Sequence, residues 1–146
     1  MVKGGNMFIV KHTIETTATP TQIWRVWQDV ENWKTWDQEI ELSRIDGPFQ
    51  TGTPGSTKFV KTPLFKTLLT QVEPRKLVVQ EAFLFFARVI SYQSMSQVGG
   101  KTQVTFQVEI RGPLSFFFAC ILGRFIKKKI PMEMEGMIKR ALVVRE

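Results

Sequence analysis

The chain is poor in the residues that most often do chemistry: of 146 positions, one is cysteine, one histidine and one tyrosine. The lone Cys120 cannot form an internal disulfide, and the N-terminus MVKGGNMF has no apolar stretch leading to a small-residue cleavage site. Both features point to a reducing cytoplasm. One histidine and one distant cysteine offer no spacing that suits zinc, so no metal is expected. Long apolar runs are missing as well. The longest, Phe116 to Leu122 extended by Leu114, falls far short of the ~20 residues that span a bilayer. No Ser/His/Asp set, phosphate-cradling loop or fixed-spacing carboxylate pair occurs, and no cofactor is expected. Residues 1–6 have no periodicity and read as an extension without a functional role, which leaves one domain over residues 7–146.

What the sequence has is apolar mass and positive charge. With 43% hydrophobic and 12% aromatic residues it can bury a sizeable core, which excludes disorder as a description of the whole. Net charge is +7, and residues 124–146 hold much of the excess: Arg124, Lys127, Lys128, Lys129, Lys139, Arg140 and Arg145 against Glu133, Glu135 and Glu146. No nucleic-acid motif accompanies these cations, so nucleic acid is not an expected partner. A solvated helix face is the ordinary explanation, and weak contact with an anionic membrane is the alternative.

Phe8, Val10, His12, Ile14 and Thr16 alternate with Ile9, Lys11, Thr13 and Glu15 and predict a first strand with one buried face. Thr19-Pro20-Thr21-Gln22 then reads as a capping box with proline at the first helical position. Ile23, Val26, Trp27 and Val30 follow at i, i+3, i+4 and i+7, one buried stripe. A second short turn carries Trp33 and Trp36. Six further strands are expected at Ile40–Ile45, Thr57–Lys61, Leu64–Val72, Leu77–Phe83, Arg88–Met95 and Thr102–Ile110, divided by turn residues. Gly112-Pro113 opens a long helix whose expected buried face is Leu114, Phe117, Phe118, Ile121, Leu122 and Phe125, continued by Ile130, Met134, Met137, Ile138 and Ala141. Pro131 is expected to bend or divide it.

Three stretches of this sequence, Ala18-Thr19-Pro20…Ile23-Trp24…Asp29…Trp33…Trp36, Gly47-Pro48-Phe49…Gly52-Thr53-Pro54-Gly55 and Val72-Glu73-Pro74-Arg75-Lys76-Leu77, resemble the polyketide cyclase/dehydrase and START-related superfamily, whose members are also similar to the birch pollen allergen. The resemblance runs from residue 7 to about 144. It implies an α+β helix-grip fold: a curved seven-stranded antiparallel sheet around a long C-terminal helix, with two short helices after the first strand. A bent sheet and one helix cannot fill the space between them as flat layers do, so a cavity lined by apolar side chains is expected there. The superfamily spans lipid carriers, hormone receptors, aromatic cyclases and stress-response modules, so the resemblance implies a site without naming its ligand.

His12 shares its strand face with Phe8, Val10 and Ile14, and it is the best acid/base candidate, although a lone histidine on an apolar face is more often structural. Glu81 lies on the face of Leu77, Val79 and Phe83, and Arg88 and Tyr92 lie on that of Ile90; together they are expected at a polar end of the cavity, or as an ion pair without a ligand. A one-residue slip would put Gln80, Ala87 and Val89 inside instead. Val10 and Ile121 are expected in the wall together with the aromatics Trp27, Trp36, Phe59, Phe106, Phe117 and Phe125, for which a core role is the alternative. Cys120 reads as a small apolar filler.

The favoured reading is a monomer or homodimer that binds a hydrophobic or amphipathic small molecule: a lipid, a polyketide-like aromatic or an isoprenoid. An enzyme of the cyclase or dehydratase type would use the same cavity, with His12, Glu81, Arg88 or Tyr92 polarising a carbonyl or moving a proton. A lipid-exchange protein would add membrane contact through Phe116, Phe117 and Phe118 beside Arg124 and Lys127 to Lys129.

Overall fold

Alternation sets β1 (Met7–Thr16), the first element of the computed structural model, which describes residues 7–145; the expected extension, residues 1–6, lies outside the described residues. Helix α1 (Pro20–Gln28) starts on the anticipated capping box. The Gln22 N–H donates to Thr19 Oγ1 at 3.1 Å, and the Thr19 N–H donates to Gln22 Oε1 at 3.0 Å. Ile23, Val26 and Trp27 are its buried stripe. A 3-10 helix, Val30–Thr35, follows, pinned by the Trp33 indole N–H donating to the Trp27 carbonyl at 3.0 Å.

Six strands come next: β2 (Ile40–Ile45), β3 (Pro54–Phe59), β4 (Leu64–Glu73), β5 (Leu77–Leu84), β6 (Ala87–Val98) and β7 (Lys101–Arg111). All pairs are antiparallel, in the order β1-β7-β6-β5-β4-β3-β2. Register shifts between Ile40 and Leu42 and between Leu69 and Gln71 bend the strands locally. Helix α2 (Ser115–Leu142) closes the chain and completes the helix-grip architecture. No helix among the described residues is long and apolar enough to cross a membrane.

Two features of α2 differ from the sequence reading. The helix is not divided at Pro131 but continuous through it. Pro131 and Lys127 both face water, so the carbonyl that loses its partner is solvated, while Ile130 and Met134 on the opposite side are locked in the core. The buried face of the first half is also rotated. Phe117, Ile121 and Phe125 are exposed, whereas Ser115, Gly123 and Ile126 are buried and Phe118, Ala119 and Leu122 are partly so. Gly123 decides the rotation: a Cβ there would lie 3.1 Å from Phe8 Cζ, so the small residue lets α2 settle on β1.

Candidate functional site

Helix α2 packs against β1 and β7 and stands away from the middle of the sheet. Between it and β3 to β7 lies a cavity of about 480 Å³, a volume typical of small-molecule sites. Along α2 it extends from Ile121 to Glu133, about 18 Å at the helical rise. Its walls include Phe59, Phe65, Ala82, Val89 and Phe106.

Six residues expected at the site border this cavity: Trp36, Phe59, Tyr92, Phe106, Ile121 and Phe125. The other seven do not. Val10 and Trp27 are core residues, with Trp27 packed on Phe106 at 6.2 Å between ring centroids. His12 is on the inner face opposite Phe106, as its alternation implied, but on the β1 side that α2 covers rather than over the open middle of the sheet. Phe117 projects from the exposed side of α2, for the reason Gly123 supplies. Glu81, Phe83 and Arg88 lie on the outer face of the sheet. There Arg88 Nη1 and Glu81 Oε1 meet at 2.9 Å, so the expected ion pair exists outside the cavity.

The face assignment of β5 and β6 is therefore the slipped one: Gln80 and Val89 border the cavity, and Ala87 shares their side of the sheet. Both parities of β5 carry apolar residues, so alternation alone does not choose between them. Tyr92 shows the consequence. It borders the cavity, yet its hydroxyl lies 3.4 Å from Glu109 Oε1 on the outer face, and burial followed by the Glu109 charge holds its pKa above the usual value.

The ionisable groups that meet as a cluster in the cavity are Asp37, Lys129 and Glu133. Lys129 Nζ sits 2.7 Å from Asp37 Oδ2 and 3.2 Å from Glu133 Oε2, and 5.2 Å from the centroid of the Phe59 ring. Lys129 and Glu133 are one turn apart on α2, continuing the stripe of Leu122 and Ile126. Asp37 arrives from the turn after the 3-10 helix, with its Oδ1 accepting the Glu39 N–H at 3.0 Å. Gly136 permits this approach: a Cβ there would lie 2.6 Å from the Trp36 carbonyl oxygen.

Two carboxyls facing one ammonium in a buried site cannot both ionise cheaply. Burial, which Lys129 only partly offsets, and the neighbouring Asp37 push Glu133 up to about 8. Burial also acts to raise Asp37, but the hydrogen bond from Glu133 and the Lys129 ammonium outweigh it, so its carboxyl is held below the usual range. Lys129, disfavoured as a cation by burial, is kept charged by Glu133 and Asp37. At neutral pH the cluster is thus an ammonium, a carboxylate and a protonated acid. It can donate a proton or hydrogen bond and can bind a carbonyl, hydroxyl or carboxylate.

Among the described residues, five buried side-chain polar atoms lack a hydrogen-bond partner, and three of them border the cavity: Thr67 Oγ1, Gln80 Nε2 and Gln93 Oε1. Each sits on a different strand, β4, β5 and β6, forming a polar band across an apolar wall. Buried polar groups are normally paired, so this concentration marks where a bound molecule or ordered water completes the bonding. The sequence reading named Gln80 only through the slipped register. It missed Thr67, Gln93 and the cluster, because Lys129 sits in a lysine run that reads as solvated.

A family model described as polyketide cyclase / dehydrase and lipid transport matches residues 7–142, and the chain belongs to that family. No curated protein matches at the level of sequence. Among solved structures, a hypothetical protein of Helicobacter pylori superposes with a TM-score of 0.81 at 8% identity, covering 96% of this chain and 91% of that one. The di-domain ARO/CYC protein StfQ of the steffimycin biosynthetic pathway gives 0.78 at 4% identity, over 94% of this chain and 51% of that one. Norcoclaurine synthase from Thalictrum flavum gives 0.72 at 16% identity, over 94% and 88%. Identities this low establish a shared fold and nothing finer.

Proposed function

We propose that this member of the polyketide cyclase / dehydrase and lipid transport family holds one amphipathic small molecule in its cavity. The apolar body of the ligand packs on Phe59, Phe106, Ile121 and Phe125, and its oxygen-bearing groups meet Thr67, Gln80, Gln93 and the Asp37–Lys129–Glu133 cluster. The observation that carries this reading is the set of unpartnered polar atoms in an otherwise apolar wall. A pure hydrocarbon would leave them unsatisfied at a cost of about 1–3 kcal/mol each. Binding of an environment-sensitive naphthalene dye tests it: Ala82→Trp or Val89→Phe, each filling the cavity, should weaken binding at least about tenfold, since about 1.4 kcal/mol suffices. Undiminished binding in both folded variants would refute the reading.

A second reading rests on Glu133, an acid kept protonated inside an apolar cavity. Here the Asp37 carboxylate takes a proton from the carbon next to a ligand carbonyl while Glu133 gives its own proton to the carbonyl oxygen, so that the enol forms, and the neighbouring Lys129 ammonium stabilises the developing negative charge. Glu133→Gln would then lower turnover of a keto substrate by about two to four orders of magnitude while leaving its affinity within severalfold. Equal loss of affinity and turnover would return Glu133 to a binding role.

A further inference from the structure

The hairpin joining β5 to β6 breaks the chemistry its geometry calls for. Leu84 pairs with Ala87, so Phe85 and Phe86 occupy the two-residue turn that asparagine and glycine normally fill. Phe86 adopts φ 52°, a left-handed conformation rare for a bulky side chain. The hydrogen bond from the Leu114 N–H to the Phe86 carbonyl at 3.0 Å ties this strained tip to the start of α2. The rings stay in water: Phe85 is 72% exposed and Phe86 63%, and in the first turn of α2, just after Leu114, Phe116 is 62% and Phe117 56% exposed. The two rings of the tip pack edge to face on each other, 4.4 Å between centroids, and local rules broken for an exposed aromatic pair point to function.

This apolar tip meets the cavity. Leu84, next to Phe85, borders it, as do Ile121 and Phe125 on α2, both exposed at its edge. Phe117, Ile121, Arg124 and Lys128 fall at i, i+4, i+7 and i+11, so a single exposed face of α2 passes from apolar to basic. Lys127 is exposed beside them, and no acidic residue occurs from 110 to 132. A protein partner would need no such uniform charge; an anionic bilayer fits both halves, with aromatic rings entering the headgroup boundary and cations lying against the phosphates.

We infer that this face docks on anionic membranes and places the cavity mouth at the lipid surface, where an amphipathic ligand enters or leaves. The inference rests on the cavity reading and shares Ile121 and Phe125 with it, but its test falls on Phe85, Phe86, Arg124 and Lys128, which do not border the cavity, so the two fail separately.

The test is co-sedimentation with vesicles of phosphatidylcholine alone and of an equimolar mixture with phosphatidylglycerol, at low and high salt. The protein should pellet with the mixed vesicles at low salt and be released at high salt. Phe85→Ser with Phe86→Ser, and separately Arg124→Glu with Lys128→Glu, should each weaken this at least about tenfold. Phe86→Gly, which suits the backbone, should weaken vesicle binding without lowering the melting temperature. Dye binding to the cavity in vesicle-free solution should persist in all three. No pelleting at low salt, or pelleting indifferent to lipid charge and to these substitutions, would overturn the inference. So would concentration-dependent dimerisation abolished by Phe85→Ser and Phe86→Ser, which would assign the face to a second copy of the chain.

Discussion

Replacing Glu133 by glutamine should flatten the pH dependence of stability. The native Glu133 carboxyl keeps its proton up to about pH 8, whereas in the unfolded chain it ionises near its ordinary value of 4.5. Between those limits the native state binds the extra proton, so the free energy of unfolding falls as pH rises. The stabilisation is complete below about pH 4.5 and is lost as pH passes about 8. Asp37 behaves oppositely: held below the usual range, its contribution is lost as pH falls through its native value, on the acid side of this window. A tenfold change in proton affinity corresponds to about 1.4 kcal/mol, so the tighter hold of the native state on the Glu133 proton is worth a few kcal/mol. A chain of this size melts about 2–4 °C lower per kcal/mol, which predicts a fall on the order of 10 °C from pH 5 to pH 9. Glutamine mimics the protonated acid, and the variant should lose most of that fall. Thermal melts of both proteins at intervals across the window provide the measurement. A wild-type melting temperature flat from pH 5 to pH 9, or an equal fall in the variant, would refute the shared-proton account.

The remaining predictions concern packing and faces. Gly136→Ala drives a methyl into the Trp36 carbonyl and should cost about 1–3 kcal/mol in chemical denaturation, with Gly123→Ala milder because the Phe8 ring can shift. Breaking the outer-face pair with Arg88→Met should change stability by less than about 1 kcal/mol and leave cavity dye binding intact; a large loss of binding would put the pair back at the site. His12→Gln should leave ligand affinity within about twofold, because His12 does not border the cavity; calorimetric titration checks it.

The strands were legible because alternation and turn residues act locally, and the start of α1 because a capping box is a short-range device. The buried face of the second half of α2, Ile130, Met134, Met137 and Ala141, was legible from its spacing, whereas that of the first half was not. From Leu114 to Phe125 apolar residues surround the helix, and the choice falls to where Gly123 allows close approach to Phe8 on β1. Strand β5 posed the same ambiguity, since Val78 and Val79 both offer an apolar face and only pairing with its neighbours fixes which side Gln80 takes. Lys129 was hidden in a run of three lysines, although its place one turn before Glu133 and along the stripe from Leu122 and Ile126 carried a signal. Asp37 carried none, because its approach to Lys129 depends on the crossing of α2 over Trp36 at Gly136, a contact between segments far apart in sequence.

Native mass spectrometry of the purified protein, paired with exact-mass analysis of whatever is released on denaturation, tests the central claim most directly. The account predicts one small molecule per chain, bearing an apolar skeleton and oxygen functions able to bond Thr67, Gln80, Gln93 and the Asp37–Lys129–Glu133 cluster, and absent from Ala82→Trp. An oxygen-free hydrocarbon, or the same adducts on wild type and the filled variant, would contradict it.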